Sequence, residues 1–337
     1  MKKVSVVIPN YNGMKYLKIC LDSLQTQTLQ EFDIICVDNG SSDGSVEFVE
    51  NEYPSVQMIK LHTNTGFCHA VNVGILKSQT EYVLLLNNDT QAEPEFLEEM
   101  IKGIDGKKHI FSGSAKILQY HDRTKMDDAG DLYNALGWAF ARGKGKSETL
   151  YHEPVKIFAA CGAAVILRRQ VAMEIGLFDE EHFAYLEDMD IGYRAKIAGY
   201  ENWYFPQARV YHVGSATSGS QYNVFKVRYS SRNNVYMIYK NMPLVQILFN
   251  LPFLLVGFAV KFLFFWKKGF GREYMEGIKK GILLCKKAHS FRCSSGREAV
   301  ISVAMNPGAM QFDLIPLAPI SLAMDLDSPM IPAFDAA

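Results

Sequence analysis

Asp38 is followed by Asn39-Gly40-Ser41-Ser42-Asp43-Gly44-Ser45, and Asp89 closes Leu86-Asn87-Asn88-Asp89. Each aspartate ends an apolar run, and each admits two readings. Asp38 is either an ordinary turn or helix-cap residue, or a carboxylate that accepts hydrogen bonds from a pyrimidine N–H or a ribose hydroxyl. The glycines and serines behind it let backbone come close to a ligand. Asp89 is either a helix cap or a metal ligand. Departure of a diphosphate needs charge neutralisation, which a divalent ion held by one or two carboxylates and the phosphate oxygens supplies. Asn87 and Asn88 can align water or sugar hydroxyls but add no negative charge. Asp89 would therefore carry the main anionic contact and need at least one more ligand. His212, in Arg209-Val210-Tyr211-His212-Val213-Gly214-Ser215, is either a satisfied structural histidine or the borderline imidazole that completes the site opposite Asp89.

A further acidic group, Glu187-Asp188-Met189-Asp190, opens a helical stretch. Acidic side chains stabilise helix N-termini, and Asp190 with Arg194 has the spacing of an i,i+4 ion pair. Three carboxylates in four positions exceed what capping needs. Glu187 and Asp190 share a face, while Asp188 lies about 100° round the helix from Glu187, so one carboxylate can face a site while the others hold structure. Displacement at a sugar anomeric carbon requires the attacking hydroxyl to lose its proton to a positioned base. Asp188 is the candidate.

The elements that must position these groups follow from the pattern. Lys3–Ile8, Phe32–Val37, Val56–Leu61 and Tyr82–Leu86 read as short strands. Between them lie apolar residues at helical spacing: Leu17, Cys20, Leu21 and Leu24; Val46, Phe48 and Val49; then Ala70 to Leu76. Strands apolar on both faces and alternating with helices predict a parallel, doubly wound α/β sheet. In such sheets ligands bind beyond the carboxyl ends of the strands, where the polar clusters after strands one, two and four fall. From Ile110 to about His212 the pattern is mixed. Strand-like pieces (Ile110–Leu118, Ala163–Leu167, Arg209–Val213) flank a polar, glycine-containing stretch from Asp127 to Lys146, and a helix from Glu187 to Ala198 stops at Gly199.

Composition narrows the function classes. A net charge of −1 argues against a nucleic-acid binder. The six cysteines form no Cys-x-x-Cys pair and mostly sit in apolar stretches, which reads as reduced packing cysteines in a cytosolic compartment. Pro9 and Asn10 end the first apolar run too soon for a signal peptide. Leu244 to Trp266 is apolar and long enough to cross a bilayer, but Gln246, Asn250, Pro252 and Lys261 interrupt it. Phe262, Phe264, Phe265 and Trp266 crowd the end beside Lys267, Lys268, Arg272, Lys279, Lys280, Lys286 and Lys287. An interfacial or re-entrant helix with a basic skirt is expected, a buried core helix being the alternative. Beyond Ala299 there is no Lys or Arg and the prolines break regular structure, so residues 299–337 are expected to be an extended or disordered tail.

Taken in order, the motifs resemble glycosyltransferase family 2, in the rhamnosyltransferase-like branch of the GT-A fold. They are Val7-Ile8-Pro9-Asn10-Tyr11-Asn12-Gly13, the Asp38 loop, Asn64-Thr65-Gly66-Phe67 with Asn72-Val73-Gly74, and Asn87-Asn88-Asp89. Cys161-Gly162-Ala163-Ala164, Gly176-Leu177-Phe178-Asp179, Phe183 with Glu187-Asp188-Met189-Asp190 and Arg194, His212-Val213-Gly214-Ser215, and Arg232-Asn233 complete the series. The resemblance implies that Pro9, Tyr11 and Asp38 hold the nucleoside, with Asn12, Asn39, Gly66, Asn72 and Asn88 also on the donor side. Asp89 stands at the last position of the family's Asp-x-Asp metal motif, with Asn87 where many relatives have the first Asp. His212 would complete the site for Mn²⁺ or Mg²⁺. Asp188 would be the catalytic base, supported by Glu187, Asp190 and Arg194.

The implied fold is a Rossmann-like, mostly parallel sheet with a mixed acceptor-side extension and C-terminal apolar helices. Residues 1–240 would form the catalytic domain, divided into a nucleotide-sugar half (1–105) and an acceptor half (106–240). Residues 241–298 would associate with the membrane. The implied reaction is inverting transfer from a dTDP- or UDP-sugar, dTDP-rhamnose foremost, to a polysaccharide or lipid-linked glycan at the inner face of the cell membrane. Two competing readings are a nucleotidyltransferase of related fold and a catalytically silent, membrane-attached binding protein. The first would need a basic triphosphate loop after strand one, where Pro9-Asn10-Tyr11-Asn12-Gly13 runs without a basic residue until Lys15. Asp89 with Glu187-Asp188 speaks against the second.

Overall fold

A computed structural model describes residues 2–214 and 222–294, with side chains through residue 286. The tail expected from residue 299 onward lies outside the described residues. The first half alternates as the sequence pattern predicts: β1 (Val4–Asn10), α1 (Met14–Gln25), β2 (Phe32–Asp38), α2 (Ser45–Glu52), β3 (Gln57–Lys60), α3 (Phe67–Lys77) and β4 (Tyr82–Leu86). These four strands run parallel in the order β3-β2-β1-β4. Alternation along β1 fills both faces: Val4, Val6 and Ile8 pack with α1, and Val7 packs with Val71 and Ile75 of α3. Close packing of α3 depends on Gly74, where a Cβ would lie 2.3 Å from a Val7 methyl.

The second half continues through β5 (Thr90–Ala92), α4 (Phe96–Ile104), β6 (Ile110–Gln119), β7 (Met126–Asp128), β8 (Asp131–Tyr133), β9 (Ala139–Ala141), β10 (Val155–Ile157), β11 (Ala164–Arg168) and α5 (Arg169–Glu174). A single 3-10 turn (Glu180–His182) then leads to α6 (Glu187–Ile197), β12 (Glu201–His212), α7 (Val224–Asn241), α8 (Leu244–Lys267) and α9 (Gly271–Ser294). β11 joins β4 and β6 antiparallel, β6 pairs with β12 in parallel, and β10 closes that edge. The architecture is the GT-A type: a mostly parallel sheet whose second half mixes strand directions. β12 begins eight residues before the expected Arg209, and its register with β6 breaks between Phe205 and Arg209, around Pro206. Proline cannot donate to the ladder there, which hid the first part of the strand from a pattern search. The polar stretch 127–146 contributes β7 and the β8–β9 hairpin.

The three C-terminal helices pack on one another and meet the rest of the fold at α6 and at the separate two-stranded β8–β9 hairpin. α9 lies close against α7: Cβ atoms at Gly277 and Gly281 would sit 1.9 Å from Ser231 Oγ and 2.6 Å from the Arg232 carbonyl. α8 meets the turn of the β8–β9 hairpin, where Trp138 Nε1 donates to the Gly257 carbonyl at 3.1 Å. Gly257 is required at this contact, since a Cβ would lie 2.0 Å from the Leu136 carbonyl oxygen. Leu254, one turn earlier, packs with Ile238 and Met242. Near the end of α8 Phe265 packs with Val227 of α7 and Tyr274 of α9, while the outer side of the helix is bare: Leu248 is 62% exposed, Phe249 77% and Trp266 66%. Only 11% of its most apolar 18-residue window is buried, so α8 is not a core helix of this chain. Cys20, Cys36, Cys68, Cys161 and Cys285 are buried and none of them is in a disulfide.

Candidate active site

The carboxyl ends of β1, β2 and β4 meet through one chain of side-chain hydrogen bonds. Asn88 Nδ2 donates to Asn10 Oδ1 at 2.8 Å, and Asn10 Nδ2 donates to Asp38 Oδ1 at 2.9 Å and to Ser45 Oγ at 2.9 Å. The other Asp38 oxygen accepts the N–H groups of Gly40 and Ser41 at 3.2 and 3.0 Å. Gly13 makes room for this network, because a Cβ there would fall 2.0 Å from Asn88 Nδ2. Asn12 adopts a positive φ of 51°. Its N–H donates to Ser41 Oγ and its side chain accepts the Ser42 N–H, joining the β1 and β2 loops. Pro9 stands beside Val37 in register, and Tyr11 is 36% exposed at the rim.

Other members of the expected donor set shape loops. Asn39 accepts from the Thr65 N–H and hydroxyl, and donates to Asn64 and to the Gly66 carbonyl. Gly66 has φ +90° and no space for a side chain against Phe183. Both ends of the Asn72 amide grip Phe178 backbone, accepting its N–H at 3.0 Å and donating to its carbonyl at 2.8 Å. The Asn72, Asn39 and Asp38 side chains are thus all engaged by protein, Asp38 at the strand-end edge, while Tyr11 stands exposed at the rim.

The structure brings Asp89 and His212 together. Val213 N–H donates to the Asp89 carbonyl at 3.0 Å, and His212 Nε2 stands 3.4 Å from Asp89 Oδ1. A third residue, which the sequence reading missed, lies behind the ring: Asp127 of β7, whose Oδ2 is 2.9 Å from His212 Nδ1. Lys144 Nζ holds the other Asp127 oxygen at 3.0 Å. Burial alone would lower the His212 pKa, but the Asp89 charge and the Asp127 hydrogen bond overcome it and push the imidazole up to about 10. Burial likewise disfavours the Asp127 anion, yet Lys144 and His212 hold that carboxyl well below its ordinary range. Asp89 and Asp127 thus set one carboxylate against each nitrogen of the His212 ring. A hydrogen bond from Nδ1–H to Asp127 would leave Nε2 as a ligand, a pattern that orients metal-binding histidines. The donor set fits a divalent ion held by Asp89 and His212, with Asp127 as the orienting carboxylate.

Asp188, the second residue of α6, is 5% exposed. One of its oxygens accepts the Met189 N–H at 2.7 Å and the other accepts the Gly162 N–H at 3.3 Å. Gly162 directly precedes Ala163, whose carbonyl accepts from Asn87 N–H at 2.9 Å, so the α6 terminus is tied to the end of β4. Burial pushes the Asp188 carboxyl up to about 6, against the pull of those two N–H donors. Glu187 beside it is fully buried with neither carboxylate oxygen hydrogen-bonded, and burial followed by the Asp188 charge raises it well above the usual range. Asp190 is different. It meets Arg194 at 2.8 Å, Lys240 at 2.9 Å and Asn241 at 2.8 Å. Although burial opposes ionisation, Arg194 and Lys240 keep it well below the ordinary carboxylate range.

The segment entering α6 is strained and clamped. Phe183, Tyr185 and Leu186 have φ values of 63°, 72° and 64°, a region costly for non-glycine residues. Asn233 of α7 holds them: its Nδ2 donates to the carbonyls of His182, Ala184 and Tyr185 at 2.9, 2.9 and 2.7 Å. Arg232 donates to the His182 carbonyl at 2.8 Å.

A family model described as glycosyl transferase family 2 matches residues 5–176. The chain is 25% identical over 236 residues to the N-acetylglucosaminyl-diphospho-decaprenol L-rhamnosyltransferase of Mycobacterium tuberculosis, covering 64% of this chain and 77% of that protein. It is 31% identical over 185 residues to glycosyltransferase GlyG of Streptococcus pneumoniae, covering 54% of this chain and 60% of that one. Among solved structures, GalNAc-T7 with UDP, GalNAc and Mn²⁺ superposes with a TM-score of 0.58 at 16% identity, covering 71% of this chain and 48% of that chain.

Proposed function

The chain belongs to glycosyl transferase family 2, a sugar-transferring family, and from that premise we propose that it is an inverting enzyme acting on a lipid-linked or cell-surface glycan. Its donor is a deoxythymidine- or uridine-diphosphate sugar, rhamnose foremost. The observation that carries the reading is the placing of Asp188: a buried carboxylate, raised to about 6, fixed by the Gly162 N–H at the strand-end edge that also bears Asp38 and Asp89.

In this reading Asp38 and the β1 loop hold the nucleoside. Asp188 takes the proton of the acceptor hydroxyl, and that oxygen attacks the anomeric carbon from the face opposite the diphosphate. The bond from anomeric carbon to phosphate oxygen breaks, its electron pair leaves with the diphosphate, and the configuration inverts. A divalent ion held by Asp89 and His212 would supply charge stabilisation to the departing diphosphate. No covalent enzyme intermediate is required.

The acceptor and location are inferred from two sources. The mycobacterial relative is named for a decaprenol-diphosphate acceptor. In addition, α8 exposes Leu248, Phe249 and Leu255 along its length, and Trp266 beside the exposed bases Lys267, Lys268 and Arg272, which suits the inner surface of an anionic membrane. The test is incubation with dTDP-rhamnose and UDP-sugars, a prenyl-diphosphate-linked N-acetylglucosamine acceptor, and Mg²⁺ or Mn²⁺. Free nucleoside diphosphate together with a product of inverted anomeric configuration by NMR supports the reading. Retained configuration refutes inversion, pyrophosphate release marks a nucleotidyltransferase, and no turnover with any donor marks a silent binding protein.

A further inference from the structure

Away from the Asp89–His212 pair, three donor side chains from three separate segments converge. Asp128 ends β7, Asp131 begins β8 and Cys161 stands just before β11. They are 2%, 0% and 1% exposed. The cysteine sulfur and one oxygen from each carboxylate all lie within 4.8 Å of one another. Asp128 spends one oxygen on the Gly130 N–H, whereas its other oxygen and both Asp131 oxygens receive no N–H or O–H donor from the surrounding protein, the Asp131 carboxyl facing that of Asp128 itself.

Two buried carboxylates with three unanswered oxygens are expensive unless something positive sits among them. Lys144, the nearby base that offsets their charge, is committed to Asp127. Asp188 adds further negative field to both carboxylates. Two hard oxygens with one soft sulfur make a donor set suited to zinc-class ions. Tetrahedral zinc, with Zn–O near 2.0 Å and Zn–S near 2.3 Å, places two oxygens and one sulfur roughly 3.3–3.5 Å apart, inside the 4.8 Å that bounds this group.

We propose that Asp128, Asp131 and Cys161 form a second metal site, separate from Asp89 and His212, that takes a zinc-class divalent cation. The cation ties β7 and the β8–β9 hairpin to the segment holding Cys161. The next residue, Gly162, supplies the N–H that fixes Asp188, so this is a positioning site and not a place where substrate binds. The site follows from the packing of the chain and not from the transfer reaction, and its readout is independent of turnover.

The experiment uses the full-length chain, stripped of metal by chelator dialysis and titrated with Co²⁺. A thiolate-to-cobalt charge-transfer band is expected in the near ultraviolet, in the wild type and equally in His212→Ala, because the Asp89–His212 pair contains no sulfur. One equivalent of Zn²⁺ is expected to erase it. Cys161→Ser is expected to abolish the band, and Asp131→Asn to raise the Co²⁺ concentration needed for half its intensity at least tenfold. Circular dichroism of each variant confirms folding, and Asp131→Asn keeps the test decisive if Cys161→Ser does not fold. Absence of a band at saturating Co²⁺ overturns the proposal and leaves Asp128 and Asp131 sharing a proton. A band that survives Cys161→Ser, or an affinity untouched by Asp131→Asn, overturns it equally.

Discussion

Replacing Asn233 by aspartate changes one amide to a carboxylate of the same shape, and the structure gives this change a large effect. The Asn233 side chain is fully buried and points its NH₂ at three carbonyls, those of His182, Ala184 and Tyr185. The substituted carboxylate would offer no donor at neutral pH and would set negative charge against all three. Two lost N–H bonds cost about 1 kcal/mol each, and the buried carbonyls left unsatisfied add about 1–3 kcal/mol. The clamp also restrains three residues in the left-handed region, each holding roughly 1–2 kcal/mol of strain. A total loss of about 3–5 kcal/mol follows, which for a domain of this size corresponds to a Tm lower by about 10 °C. Because the clamped segment leads directly into Glu187 and Asp188, kcat is expected to fall more than tenfold while the donor KM stays within about twofold, the Asp38 loop being untouched. Thermal unfolding by circular dichroism and steady-state release of nucleoside diphosphate measure the two quantities. A Tm within 2 °C of wild type with kcat within twofold would refute the clamp as the device that holds Asp188 in place.

Other outcomes follow from the same geometry. Asp188 must be ionised to accept a proton, so with its pKa raised to about 6 by burial, kcat/KM should rise with pH up to about 6 and level off above it; a rate flat from pH 5 to 8 rules Asp188 out as the base. Asp127→Asn should weaken Mn²⁺ activation about 10–100-fold, because Asp127 orients His212 from behind, and titration calorimetry reads this without turnover. His182 is fully buried, and burial lowers its pKa to about 4. The unfolded chain therefore binds the extra proton first, and stability present above pH 6.5 is lost as pH falls towards 4, by about 3 kcal/mol. Urea unfolding at pH 7 and pH 4.5 measures that loss, which His182→Gln should reduce. Leu248→Glu with Phe249→Glu on the exposed side of α8 should reduce co-sedimentation with anionic vesicles at least tenfold, with unchanged Tm; equal binding of the variant removes α8 from the membrane reading.

The parallel half of the sheet was legible because β1, β2 and β4 are short, apolar on both faces and closed by polar loops. That pattern placed Asp38 and Asp89 at strand ends before any coordinates. The place of Asp188 in the first turn of α6 was legible because the acidic cluster opens a helical stretch that ends at a glycine. Asp127 was not: β7 and β8 are three residues each, too short for alternation to register, and their aspartates with the intervening Gly130 read as loop. α7 escaped for the opposite reason. It buries Ser230, Ser231, Asn233 and Asn234 between Val227 and Met237, so polar residues interrupt the apolar stripe that a pattern search needs. Asn39 and Asn72 show a further limit, since the one-letter code of an amide that grips a loop is the same as that of one facing a ligand.

Gly257 sets how this chain can be altered. One side of α8, through Gly257 and Leu254, is a wall of the hairpin that begins at Asp131; the other side, through Leu248, Phe249 and Leu255, is open. Cutting the chain after α7 would not release a soluble catalytic half, because it would uncover Leu136, Trp138 and Ile238 and unseat the hairpin. Solubilising substitutions therefore belong on the open side alone. Any side chain placed at Gly257, even a methyl, would press on the Leu136 backbone and be transmitted through the hairpin toward Asp131.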